Sequence, residues 1–212
     1  VMSTNFLSEY IKYVPYHDVI YGGISTPVRM PDKRNRTLRL AYEKAAENIR
    51  SLSFRKKNPY KYISAFNILI KHELFDQIKF NENCTLYGYE DALLGIELKI
   101  RKKEIYHIDN PLLHTGIDTN EEYLEKIKDS LTTLYTIGNT MQNESSICKI
   151  QKLITKVKLN TPIDILFTHI FKKRFEKNLL STSPSLSILQ LYKIGYYCHI
   201  CQTNEKKRKN IR

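Results

Sequence analysis

The spacing of hydrophobic and polar positions changes near residue 116. Upstream of it, short apolar runs alternate with helical patterns; downstream, only the helical spacing remains. Residues 18–24 (DVIYGGI) are β-rich and end in a glycine pair, which predicts a strand running into a turn. Residues 26–36 hold Pro27, Pro31 and several bases and read as a loop. From Thr37 to Ile49 the residues Leu38, Leu40, Ala41, Ala45 and Ile49 recur at helical spacing, and Arg55-Lys56-Lys57-Asn58-Pro59 breaks that pattern. Residues 62–70 (YISAFNILI) predict a buried strand, and His72 to Ile78 a short helix. Residues 90–102 predict a cleaner helix, with Glu90 and Asp91 in its first turn and Arg101, Lys102 and Lys103 at its end, a charge order that complements the helix dipole. Residues 104–108 (EIYHI) predict a further strand, closed by Asp109-Asn110-Pro111.

After Gly116, Thr119 and Glu122 form a capping-box signature, and Tyr123, Ile127, Leu131 and Leu134 make one apolar face. Helices are predicted near 145–158, 162–178 and 185–200, and the last eight residues, which are basic, are expected to fray. No internal repeat is visible. The pattern divides the chain into 1–116, mixed strands and helices, and 117–212, a helical extension with a basic tail. The expected fold class is therefore α/β. Its first part lacks a complete βαβ nucleotide-binding unit and reads as half a sheet.

Composition adds little to that picture except charge. The 212 residues are 42% hydrophobic and 26% charged, with Tyr at 15 and Trp absent, as in a folded globular chain rather than a disordered one. Apolar runs such as 163–171 are interrupted by Asp164 and His169 and are too short to span a bilayer. Val1 is followed by polar residues without a signal-peptide pattern, so the start reads as a cut edge. The formal charge of +12 points to a polyanionic partner or to a solvated basic surface. Of the four cysteines, only Cys198 and Cys201 are close. A single CxxC is a weak zinc signal beside the default of free thiols in a reducing cytoplasm.

Candidate chemistry gathers in three segments. In Tyr87-Gly88-Tyr89-Glu90-Asp91 a glycine-containing loop delivers two carboxylates to a helix start. Neighbours on a helix point about 100° apart, so one can face a reacting centre while the other orients a second group. The positive end of the helix favours their charge, which suits a base for a sugar hydroxyl. Acidic residues also favour the first turn of any helix. His114, in Asn110-Pro111-Leu112-Leu113-His114, is either a packed histidine or a ligand to Mn²⁺ or a similar ion where carboxylates converge on it. Asn67 lies within an otherwise apolar run and needs partners, either loop backbone or a bound sugar.

The segments FNILIKHELFDQIKF (66–80), YGYEDALLGIELKIRKKEIYHIDNPLLHTGI (87–117) and NEEYLEKI (120–127) resemble bacterial family-two glycosyltransferases whose C-terminal region is similar to the galactosyltransferase family-seven C-terminal domain. NFLSEYIKYVPYHDVIYGG (5–23) resembles the stretch following the metal-binding Asp-x-Asp strand of such enzymes, and SPSLSILQLYKIGYYC (183–198) their helical tail. The resemblance implies the acceptor-side, C-terminal half of a GT-A type sheet followed by a helical extension. It implies inverting transfer from a nucleotide diphosphate sugar to a saccharide or lipid-linked acceptor, in polysaccharide biosynthesis. Asp91 would be the base and Glu90 would hold the acceptor beside Gly88, Tyr89 and Asn67. His114 would be a ligand to Mn²⁺ or Mg²⁺ in the intact parent. The chain departs from the family by absence: it holds no Asp-x-Asp and no nucleotide-binding half. Expected with this reading are a cytoplasmic location, peripheral contact with an anionic membrane through the basic helices, and self-association of an incomplete sheet. The alternatives are a non-catalytic interaction protein derived from a truncated transferase and a basic nucleic-acid-binding module, though no nucleic-acid recognition motif is present.

Overall fold

The computed structural model describes residues 4–27, 34–82 and 84–211, the side chains only up to 208. Residues 28–33 of the expected loop, and the cut edge read at Val1, lie outside the described residues. The chain forms two units. The first takes in residues 4–27, 42–82 and 89–117, and the second 34–41, 84–88 and 118–211.

The centre of the first unit is β1 (Val19–Tyr21), fully buried along its length. It pairs antiparallel with β3 (Ile68–Ile70) and parallel with β4 (Tyr106–His107), giving the order β3-β1-β4. Alternation along a strand sends successive side chains to opposite faces. Val19 and Tyr21 meet Ile63, Leu74, Leu94 and Leu98 on one side. Ile20 meets Tyr10 and Ile108 on the other. Leu74 comes from α5 (His72–Ile78), Leu94 and Leu98 from α6 (Glu90–Ile100), and Tyr10 from α1 (Phe6–Ile11). Covering both faces is why β1 is apolar at every position. Each fully buried aliphatic side chain here contributes roughly 1.5–3 kcal/mol.

Past Gly22 and Gly23 the chain continues into β2 (Ile24–Ser25), which pairs parallel with β5 (Leu112–Leu113). The amides of Ile108, Asn110, Leu112 and His114 donate in turn to the carbonyls of Tyr21, Gly22, Gly23 and Ser25. One ladder thus runs from the central sheet out to His114.

Three local expectations differ from the structure. The strand expected over 62–70 forms only at Ile68–Ile70, because Ala65–Asn67 is a 3₁₀ turn capped by the Ser64 hydroxyl. The helical pattern carries on through Arg55–Lys57 and breaks only at Asn58-Pro59, the end of the basic run. The helix expected over 37–49 becomes α2 (Thr37–Ala45) and α3 (Glu47–Arg50), and α4 (Leu52–Lys57) follows with Ser51 as its cap. The basic tail is helical to Ile211 within α12 (Leu186–Ile211). α6 ends as its bases suggest: Lys102 takes φ 54°, and the Lys103 amide reaches back to the Leu98 carbonyl, as in a Schellman closure.

In the second unit, α12 packs against α7 (Asn120–Thr136), α9 (Ser146–Lys156), α10 (Asn160–Leu166) and α11 (Lys172–Leu179). A short helix, α8 (Gly138–Met141), follows α7, and one π turn, Phe167–Phe171, joins α10 to α11. Thr119 and Glu122 form the reciprocal capping box at the start of α7. Buried Asn120 accepts from the Leu38 amide and donates to Thr37 Oγ1 and the Ser181 carbonyl, which ties residues 34–41 into this unit. Among the described residues no helix is long and apolar enough to cross a membrane.

Candidate functional site

The carboxyl ends of the parallel strands β1 and β4 define one end of the small sheet. Because β3 runs antiparallel, with Tyr21 opposite Ile68, its amino end lies at that same end. Gly22, Gly23, Asn110 and the 65–67 turn therefore gather there. In open α/β sheets ligands bind outside the carboxyl ends of the strands.

Asn67 is the knot of this region. Its Nδ2 donates to the Gly23 carbonyl at 2.7 Å and to the Asn110 carbonyl at 2.9 Å, and its Oδ1 accepts from the Tyr10 hydroxyl at 2.7 Å. Both amide hydrogens are committed to loop backbone, the first of the two roles the sequence allowed. Burial pushes the Tyr10 pKa up to about 12, so its hydroxyl stays protonated as a donor. Asn110 in turn donates to the Phe6 carbonyl at 2.9 Å.

Two of the expected site residues border the same turn. Asp91, in the first turn of α6, accepts the Ala65 amide hydrogen at 2.8 Å. His114, at the end of the ladder from β1, sets its ring edge-on against Phe66 with centroids 5.1 Å apart. Phe66, next to Ala65 in that turn, is 43% exposed. It also lines an apolar groove of about 460 Å³ with Phe6, Leu7, Ile68 and Leu112, along the outer edge of β3. Glu90 begins α6 and is half-buried. Tyr89 enters the helix at φ 72°, a left-handed conformation that costs a non-glycine residue about 1–2 kcal/mol. Gly88 belongs to the second unit, where it packs on Ser130 of α7.

Sequence reasoning missed Arg55. Its guanidinium, in a side chain 2% exposed, donates to the carbonyls of Arg50, Tyr21 and Ile108 and lies over the Tyr21 ring. It holds the carbonyl ends of β1 and β4 together. Gly23, at φ 92°, leaves it room: a Cβ there would lie 2.7 Å from Nη2. Burial lowers the Arg55 pKa from its ordinary 12.5. His107 faces Arg55 Nη1 with Nδ1 at 3.3 Å, and its Nε2 lies 2.9 Å from the Pro59 carbonyl. A carbonyl only accepts, so Nε2 carries the hydrogen and Nδ1 accepts from Arg55. Burial lowers the His107 pKa, which keeps this ring neutral. The one available signal was the basic run itself: a cation inside an amphipathic helix with one face on a sheet.

No family model, curated protein or solved structure matches this chain.

The site therefore rests on its own geometry. It presents one carboxylate at a helix start, one histidine at a strand end and an exposed aromatic ring beside that histidine. Among the described residues no group of three or more His, Cys, Asp or Glu side chains converges as a metal site. His114 is a single donor, and the residues present do not by themselves fit a divalent ion. The Cys198 and Cys201 thiols are pushed up by burial to about 12 and about 11, and both stay protonated at neutral pH.

Proposed function

We propose that this chain is the acceptor side of an inverting glycosyltransferase, working with a nucleotide diphosphate sugar whose binding half lies outside these residues. The observation that carries the reading is that Asp91 and His114 border one turn, Ala65–Asn67, at the carboxyl end of the sheet. Asp91 uses one carboxylate oxygen to hold the Ala65 amide, which orients the other toward the acceptor. A fixed carboxylate within hydrogen-bond reach of a sugar hydroxyl removes its proton as the oxygen attacks the anomeric carbon. Phe66 offers the ring against which the apolar face of an acceptor sugar packs. Glu90, the neighbour of Asp91 on α6, supports the acceptor. A divalent ion in the parent enzyme would draw one donor from here, His114, and its carboxylates from elsewhere.

The outer edge of β3 has no partner strand among the described residues, which agrees with a sheet continued by another segment. The setting proposed is the cytoplasmic face of a membrane, where a lipid-linked acceptor is available. The test is sugar transfer from labelled nucleotide diphosphate sugars by the product of the whole reading frame that encodes this chain. Transfer that depends on Asp91 supports the reading. A complete product that binds no nucleotide sugar overturns it in favour of a non-catalytic interaction protein.

A further inference from the structure

The helix α9 lies against α12 with its polar side inward. Ile150, Leu153 and Ile154, with Val157 just after the helix, follow the spacing i, i+3, i+4 and i+7 that normally faces a core. This apolar stripe faces out, leaving Leu153 62% exposed and Val157 52%. The stripe turned toward α12 has the same spacing and consists of Cys148, Gln151, Lys152 and Thr155. Cys148 Sγ lies 3.6 Å from the Tyr197 hydroxyl, and Gln151 hydrogen-bonds the Cys201 thiol. A polar stripe is costly to bury dry against a neighbouring helix. The two helices do not close on it. With the end of α7 and with α8 they border a cleft of about 620 Å³. Clefts that hold small molecules commonly measure about 300–1,000 Å³.

The polar groups of the cleft show what it fits. Gln151 is committed within the chain: its Nε2 donates to Asn160 Oδ1 at 3.2 Å and its Oε1 accepts from Thr155 at 2.9 Å. Gln142 Nε2 donates to Asn139 Oδ1 at 2.9 Å. Four groups lining the cleft make no hydrogen bond or ion pair among the described residues: Lys152, Arg208, the Tyr135 hydroxyl and Asn139 Nδ2. All four can donate, and two are cations. Among the described residues no carboxylate lines the cleft; Glu205, whose charge acts on the Cys201 thiol, is exposed outside it. A surplus of donors with two unpaired cations matches a ligand rich in acceptors and negatively charged.

We propose that this cleft binds a small organic phosphate, with Lys152 and Arg208 supplying the countercharge. An ester fits better than the free ion. The donors come from three elements, Asn139 and Tyr135 from the corner of α7 and α8 and the cations from α9 and α12, and a bare phosphate fills little of the space between them. The cleft lies within the second unit, and the proposal is independent of the role of Asp91.

The experiment is titration calorimetry of the chain with glucose 6-phosphate, adenosine monophosphate, inorganic phosphate, glucose and adenosine. At least one ester should bind ten times more tightly than inorganic phosphate, and the two uncharged compounds should not bind. Lys152→Gln and Arg208→Gln should each weaken the ester by about tenfold or more, the worth of a hydrogen bond to a charged group. Both residues are exposed, and circular dichroism checks that the helices persist. Lys149→Gln, on the same helix but outside the cleft, should leave the Kd unchanged. Failure of both esters to bind would make the cleft a water-filled gap and overturn the proposal. Inorganic phosphate binding as well as the esters would overturn it in favour of an unselective anion site. Full binding by Lys152→Gln or Arg208→Gln, or an equal loss in Lys149→Gln, would place the ester elsewhere and overturn it too.

Discussion

Asp91 Oδ1 accepts the backbone hydrogen of Ala65 across 2.8 Å, although 26 residues separate them. This bond stitches the start of α6 to the turn that carries Phe66. The other oxygen of the carboxylate is the one that the proposed transfer would use as its base. An amide at this position keeps an oxygen for Ala65 but has no basic oxygen to offer.

On the proposed reading, Asp91→Asn in the whole protein is expected to lower sugar transfer by about 10²–10⁴-fold, the usual worth of a positioned base. The Kd for the nucleotide sugar should stay near that of the parent. Turnover within a few-fold of the parent would remove Asp91 from the role of base.

Asn67→Ala would remove the side-chain bonds to the Gly23 and Asn110 carbonyls and to the Tyr10 hydroxyl. Gly23 keeps the Leu112 amide and Tyr10 keeps the backbone carbonyl of residue 67, so the Asn110 carbonyl is the group that loses its donor. A buried unsatisfied group costs roughly 1–3 kcal/mol, so a loss of about 2 kcal/mol is expected. The urea midpoint should fall accordingly. An unchanged midpoint accompanied by weaker acceptor binding would instead make Asn67 a substrate contact.

Gly88 has φ 104°, and a Cβ added to it would lie 2.6 Å from Ser130 Cβ. Gly88→Ala should destabilise the chain by about 1–3 kcal/mol through backbone strain and the displaced contact. Gly116→Ala is the control, because a Cβ there meets nothing within 4 Å.

Burial holds the His107 pKa below its ordinary 6.5 in the folded chain. Below pH 6.5 the unfolded chain takes up a proton that the folded chain refuses. The stability from this group is thus complete above that pH and drains away as pH falls through the lowered value. The urea midpoint should drop on acidification from neutral pH, and less so in His107→Gln, whose side chain has no titrating ring. Identical slopes for the two proteins would show that another group governs acid sensitivity.

Local pattern alone placed the helix at His72–Ile78, the capping box at Thr119 and Glu122, the acidic start and basic end of α6, and the three segments that meet in β1, β3 and β4. Those features depend on residues within a turn or two of one another, where periodicity and capping chemistry decide the backbone. Tertiary structure decided the rest. Residues 62–67 left the strand because Ser64 and Asp91 take the amides of Phe66 and Ala65. Arg55 became a buried clamp because carbonyls from β1 and β4 converge on it, each more than 30 residues away. The apolar stripe of α9 faces outward because Cys148, on the opposite side, packs on α12. Apart from Ser64, which caps its own turn, each partner is distant along the chain, and hydrophobic spacing records that a face is apolar without recording what covers it.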